Sequence, residues 1–143
     1  MRTLALVVEG VLLAVAGIHI YWAVGGRWGL GAVLPERAGT PLFRPGPWAT
    51  LAVAVALVVA ALLVGARAGL APSGLLPAPV AGIGSWLVAA AFLARAVGDF
   101  RYVGLFRRVR DTRFAEWDGR AFTPLALGVG LATALIALGP PTP

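Results

Sequence analysis

Four long apolar runs constrain this chain more than any other feature. They fall at about residues 3–24, 47–66, 80–97 and 122–138. At roughly 1.5 Å of rise per residue, each is about long enough to cross a ~30 Å hydrocarbon core as a helix, the fourth being the shortest. Hydrophobic residues make up 59% of the chain and charged residues 13%, against about 25% charged in ordinary soluble domains. A water-soluble fold of 143 residues has too much surface to hide that excess. The expectation is a single all-α domain over residues 1–143, a bundle of four transmembrane helices.

The loops have their own signals. Met1-Arg2-Thr3 resembles the start of a signal peptide, but Glu9 and His19 interrupt the apolar stretch and Tyr21-Trp22 stand where small residues would mark cleavage. The first run is therefore read as a retained helix, ended by Gly25-Gly26. Pro47-Trp48 opens the second run, with proline at a helix start and Trp at the interface. All twelve basic residues are Arg. Arg27, Arg37, Arg44, Arg95, Arg101, Arg107, Arg108, Arg110, Arg113 and Arg120 fall on one side of the spans; Arg2 and Arg67 fall on the other. The positive-inside bias then places both Arg-rich segments in the cytoplasm and both termini outside, in a multi-pass protein of a bacterial inner membrane. Anionic lipid headgroups account for the net charge of +6 better than nucleic acid does.

The chain has no Cys, which excludes thiolate catalysis, dithiol reductases and Cys-ligated metal. With one His and one Met, no metal or other cofactor is expected. Tyr102, Leu105, Phe106 and Val109 recur at helical spacing opposite Arg101, Arg108 and Asp111, so residues 100–111 are expected to form an amphipathic helix lying in the interface. Polar groups within the spans are costly and so are candidates for function. Glu9, Ser85, Trp86 and Thr133 are expected at one depth, each roughly 8–9 Å below the outer helix ends. His19, Trp22, Arg95 and Asp99 gather at the other end, with Asp99 expected to pair with Arg95 one helical turn away. Two acids in different surroundings can divide general acid and base roles. The catalytic candidates are thus Asp99, His19 and Glu9. Trp22, Arg95, Arg101, Trp86 and Asp118 are the candidates for contacting a ligand.

Two stretches carry a family resemblance. They are His19-Ile-Tyr21-Trp22-Ala-Val-Gly25-Gly26-Arg27-Trp28-Gly29 and the segment from Asp99 to Asp118, which includes Arg101, Gly104, Phe106, Thr112, Arg113, Phe114 and Trp117, with Pro124-Leu125 beyond. The chain resembles the small bacterial membrane proteins grouped as domain of unknown function 3995. That resemblance implies four helices and no assigned activity. The residues it shares are His19, Trp22, Gly25, Gly26, Asp99, Phe114, Asp118 and Pro124, most of them at the Arg-rich end. Glu9 is not among them.

Two classes of function fit these residues. One is a partner or accessory membrane protein, as a homo-oligomer or within a complex, with a polar site at the cytoplasmic mouth. The other is a membrane-embedded acid–base enzyme, an isomerase or a cyclase of the terpene cyclase kind, acting on a lipophilic, isoprenoid-type small molecule. A proton-coupled carrier is a third, but four helices are few for alternating access.

Overall fold

A computed structural model describes residues 1–37, 39–72 and 75–140. Helix α1 spans Arg2–Ala23, the short α2 spans Leu30–Val33, and a two-residue antiparallel hairpin follows, β1 (Glu36–Arg37) on β2 (Thr40–Pro41). Helix α3 covers Pro47–Arg67 and α4 covers Ala78–Val97. The last helix is built in three parts: α5 (Arg113–Trp117), a π turn (Asp118–Phe122) and α6 (Thr123–Leu138). Four of these helical stretches are long and apolar enough to cross a membrane, with α5 to α6 counting as one.

The packing follows from where small residues fall. Helix α1 lies chiefly on α3, and α4 joins α3 to α6. Glu9 lies against Gly65, Leu63 against Gly84, and Leu93 against Gly130. A methyl group at position 130 would stand 2.9 Å from the Leu93 side chain and 3.1 Å from its backbone nitrogen. Small residues of this kind let helix backbones approach closely where lipid supplies no hydrophobic drive. The core between helices is narrow, formed by Ala5, Val8, Leu12, Ala61, Val64 and Ile136. Large apolar side chains point outward along every span, including Leu13, Val55, Leu87 and Leu135. Such all-round apolarity belongs to helices in lipid.

At the end carrying the termini, two cations close the helix ends. Arg2 Nη2 donates to the Gly69 carbonyl at 2.6 Å. Arg67 Nη2 donates to Ala137 at 2.9 Å and to Gly139. Positive groups are favourable beside C-terminal carbonyls left without intrahelical partners.

The expected interfacial helix over 100–111 does not form. Residues 98–112 are a chain of turns and bends with no helix. Gly98 and Gly104 both have φ of 88° and Phe100 has φ of 63°, so the left-handed region recurs within seven residues. A right-handed helix cannot contain it. The two glycines also touch: a Cβ on Gly104 would stand 2.6 Å from the Gly98 Cα. The loop folds back, and Leu105 N donates to Ala96 O at 2.8 Å. The apolar positions Leu105 and Phe106 are nonetheless exposed, and the Phe100 and Phe106 rings stack at 6.0 Å.

Candidate functional site

The Arg-rich end is organised around one carboxylate. Asp118 is fully buried. Its Oδ1 accepts from Arg95 Nη2 at 2.6 Å. Its Oδ2 accepts from the Gly104 amide and from the Thr123 hydroxyl, each at 2.9 Å. Arg107 Nη1 stands 3.6 Å from the same oxygen. One side chain thus ties the end of α4, the loop after it and the start of α6 together.

The π turn makes this geometry. Hydrogen bonding from i to i+5 brings residues five apart onto one face, so Thr123 rather than Phe122 stands over Asp118. Pro124 supplies the cause. It has no N–H for the carbonyl four residues back, and its ring crowds that carbonyl. Hydroxyl side chains and local π adjustments commonly accommodate such breaks in membrane helices. Gly119 supplies the clearance, since any Cβ there would collide with the Arg107 guanidinium.

Asp99 is employed elsewhere. Its Oδ1 accepts from the amides of Arg101, Tyr102 and Val103 at 2.9, 2.7 and 2.9 Å. Partial desolvation pushes its pKa up, but the bonds from Val103, Arg101 and Tyr102 together outweigh this and leave the carboxyl below its ordinary value. The expected Asp99–Arg95 pair is therefore replaced by Asp118–Arg95. The reason is that α4 ends at Val97, so Asp99 is not on the helix whose spacing suggested the pair.

His19 and Trp22 form a second, separate group. His19 Nδ1 lies 2.8 Å from the Val15 carbonyl of its own helix, and its ring meets Trp22 edge-on at 5.1 Å. Trp22 Nε1 donates to the Trp28 carbonyl at 2.8 Å. The Tyr21 ring lies where a Cβ on Gly26 would be, and Gly25 has φ of 99°. These aromatics clasp the Gly25-Gly26 turn. Among the described residues no hydrogen bond or ring contact joins His19 or Trp22 to Arg95, Asp99 or Asp118. The two Arg-rich loops do meet, through α2 against α5 and through the Arg113 amide on Glu36 Oε1 at 3.1 Å.

The deeper layer is dispersed. Ser85 is buried and bonded to Ala81 O at 2.8 Å, while Trp86 beside it is 46% exposed on the outer face. Thr133 is buried, and its hydroxyl has no partner among the described residues. Glu9 is partly exposed in the groove between α1 and α3 and has no hydrogen bond or ion pair with any described residue. Arg101 is exposed, its guanidinium 5.2 Å from the Tyr102 ring centre.

Sequence reasoning missed Arg107, Gly104 and Thr123 as the companions of Asp118. Thr123-Pro124 immediately after the Arg-rich polar stretch was the available signal.

This fold and this site define a polytopic helical membrane protein with a charged clasp at one end of its bundle. The chain belongs to the family described as Protein of unknown function (DUF3995), whose profile matches residues 12–133. No curated protein and no solved structure matches it.

Proposed function

We propose that the protein is a non-catalytic accessory subunit of a complex in the bacterial cell membrane, with its Arg-rich end in the cytoplasm. The observation that carries this reading is Glu9. It lies within a membrane span, partly exposed beside Gly65, with no bond to another described residue. Ionisable groups at that depth ordinarily face a bundle interior or a partner group. A donor from a neighbouring transmembrane helix, seated in the α1–α3 groove, would supply one.

The state of the other candidates supports the same reading. Asp118 spends both oxygens, and Asp99 its Oδ1, on internal donors, which assigns them to holding structure. The alternative, an acid–base enzyme for an isoprenoid-type molecule, needs a chamber between the helices. The close fits of Leu63 on Gly84 and Leu93 on Gly130 fill that space with protein.

The test replaces Glu9 with Leu in the native host and follows the chain on native gels of mildly solubilised membranes. The expected result is wild-type protein in a high-mass complex and the Glu9→Leu chain released from it, while the purified variant unfolds at an unchanged or higher temperature. Equal migration of both chains refutes the proposal.

A further inference from the structure

We infer that the open groove between the 107–113 loop and the last helix is a binding site for a phosphate group presented at the membrane surface. The groove has a volume of about 720 Å³, and Arg107, Arg110, Arg113 and Arg120 line it together with Asp111 and Glu116. Glu116 is already engaged, with its Oε1 2.6 Å from Arg120. The lining keeps an excess of two positive charges after both acids are counted.

The floor is set rigidly. Arg107 is only 17% exposed, fixed by its bond to the Gly104 carbonyl at 2.8 Å and by Asp118 beyond. Two cations, Arg95 and Arg107, approach this single carboxylate, so the clasp does not neutralise itself. The buried Nε–H of Arg107 has no acceptor among the described residues. Arg110 and Arg113, by contrast, are exposed at the rim. A fixed guanidinium below and exposed ones at the rim match a tetrahedral anion that accepts several paired N–H bonds.

Location favours phosphate over a carboxylate. The groove sits at the start of a membrane-spanning helix, beside Trp117, which is 46% exposed and of the type that marks the headgroup level. Phosphates are the dense anions at that level. Groove and Glu9 lie at opposite ends of the bundle, so this inference does not depend on the partner reading.

The experiment uses the purified full chain in a neutral detergent. Binding is measured by isothermal titration with dioctanoyl phosphatidic acid, with zwitterionic dioctanoyl phosphatidylcholine and with inorganic pyrophosphate. Phosphatidic acid should bind, and phosphatidylcholine should bind far more weakly. Arg110→Gln/Arg113→Gln/Arg120→Gln should weaken the phosphatidic acid affinity about a hundredfold, with helicity retained by circular dichroism. Asp111→Asn/Glu116→Gln should tighten it severalfold, a change that a purely structural role of these residues would not produce. Binding of pyrophosphate in place of phosphatidic acid, with the same response to the variants, upholds the phosphate site and assigns it to a soluble source. Binding of neither probe overturns the inference. So does a triple variant that binds as the wild type does, or an acid-neutralised variant that binds no more tightly.

Discussion

Replacing Asp118 with Asn tests whether the clasp holds the bundle together. The substitution keeps the shape and removes the charge. The wild-type carboxylate faces donors only: Arg95 Nη2 at 2.6 Å, and the Gly104 amide and Thr123 hydroxyl at 2.9 Å each. Asn offers one acceptor oxygen and one donor group. If the oxygen stays with Arg95, the new amide meets the Gly104 N–H, donor against donor. The Thr123 hydroxyl can rotate to accept, but the backbone amide cannot. One buried amide left without an acceptor costs about 1–3 kcal/mol. Losing the charge from the Arg95 bond costs about 1 kcal/mol more, since charge-assisted bonds exceed neutral ones by roughly that amount. Arg95 is 36% exposed and can recover some solvation, so the total is about 3 kcal/mol, the low end of the range for breaking a buried pair. At roughly 2–4 °C per kcal/mol for a chain of this size, the unfolding midpoint in mild detergent should fall by about 6–12 °C. Trp117, adjacent to the site in sequence, makes tryptophan fluorescence a suitable monitor. A midpoint within about 2 °C of wild type would show that the buried carboxylate does not carry the clasp, and the reasoning would fail.

Three further outcomes are expected. Asp99, whose carboxyl is held below its ordinary value in the folded chain, contributes stability above the unfolded pKa of about 3.9 and loses it as pH falls through the lower folded value; the amides of Arg101, Tyr102 and Val103 should therefore be protected from hydrogen exchange at pH ~6 and less protected, after correction for intrinsic rates, at pH ~2, with Asp99→Ala exchanging fast at both, and pH-independent protection would count against the turn. Gly130→Ala forces a methyl group against Leu93 and should cost about 1–3 kcal/mol, whereas Gly10→Ala, with nothing within 4 Å of its Cβ, should be neutral or slightly stabilising; equal effects in a denaturation series would undo the packing argument. For orientation, a Cys at Leu75 should react with an impermeant thiol reagent in intact cells and a Cys at Asp111 only after lysis, and the reverse pattern would invert the topology.

The spans were legible because lipid leaves a simple signature. Hydropathy placed the bounds of α1, α3 and α4 within about two residues, the usual uncertainty at helix ends. The fourth helix begins at Arg113, nine positions before the expected 122, because its first turns are polar and lie beyond the apolar run. Periodicity failed at residues 100–111. The spacing of Tyr102, Leu105, Phe106 and Val109 is helical, but Gly98 and Gly104 require positive φ, and backbone sterics override a pattern of side chains. The candidate site was legible in part. Asp118 and Arg95 were both singled out from sequence, yet their pairing was not, because 23 positions separate them and only the return of the last helix brings them together.

The π turn at Asp118–Phe122 also has a bearing on how this helix tolerates length changes. Each α-helical residue advances about 100° around the axis. An extra residue wound into one turn therefore acts as a phase shifter. It lets Arg113–Trp117 follow the angular register of the polar loops while Thr123–Leu138 follows that of the bundle. Deleting Ala121 would leave Thr123 four places after Asp118, the same-face spacing of an α-helix, so the polar and apolar halves would keep nearly the same relative register. Asp118 would still face Arg95 and Thr123, although the π turn itself had been removed. In related chains, a single-residue gap within this turn should therefore occur without a compensating insertion nearby.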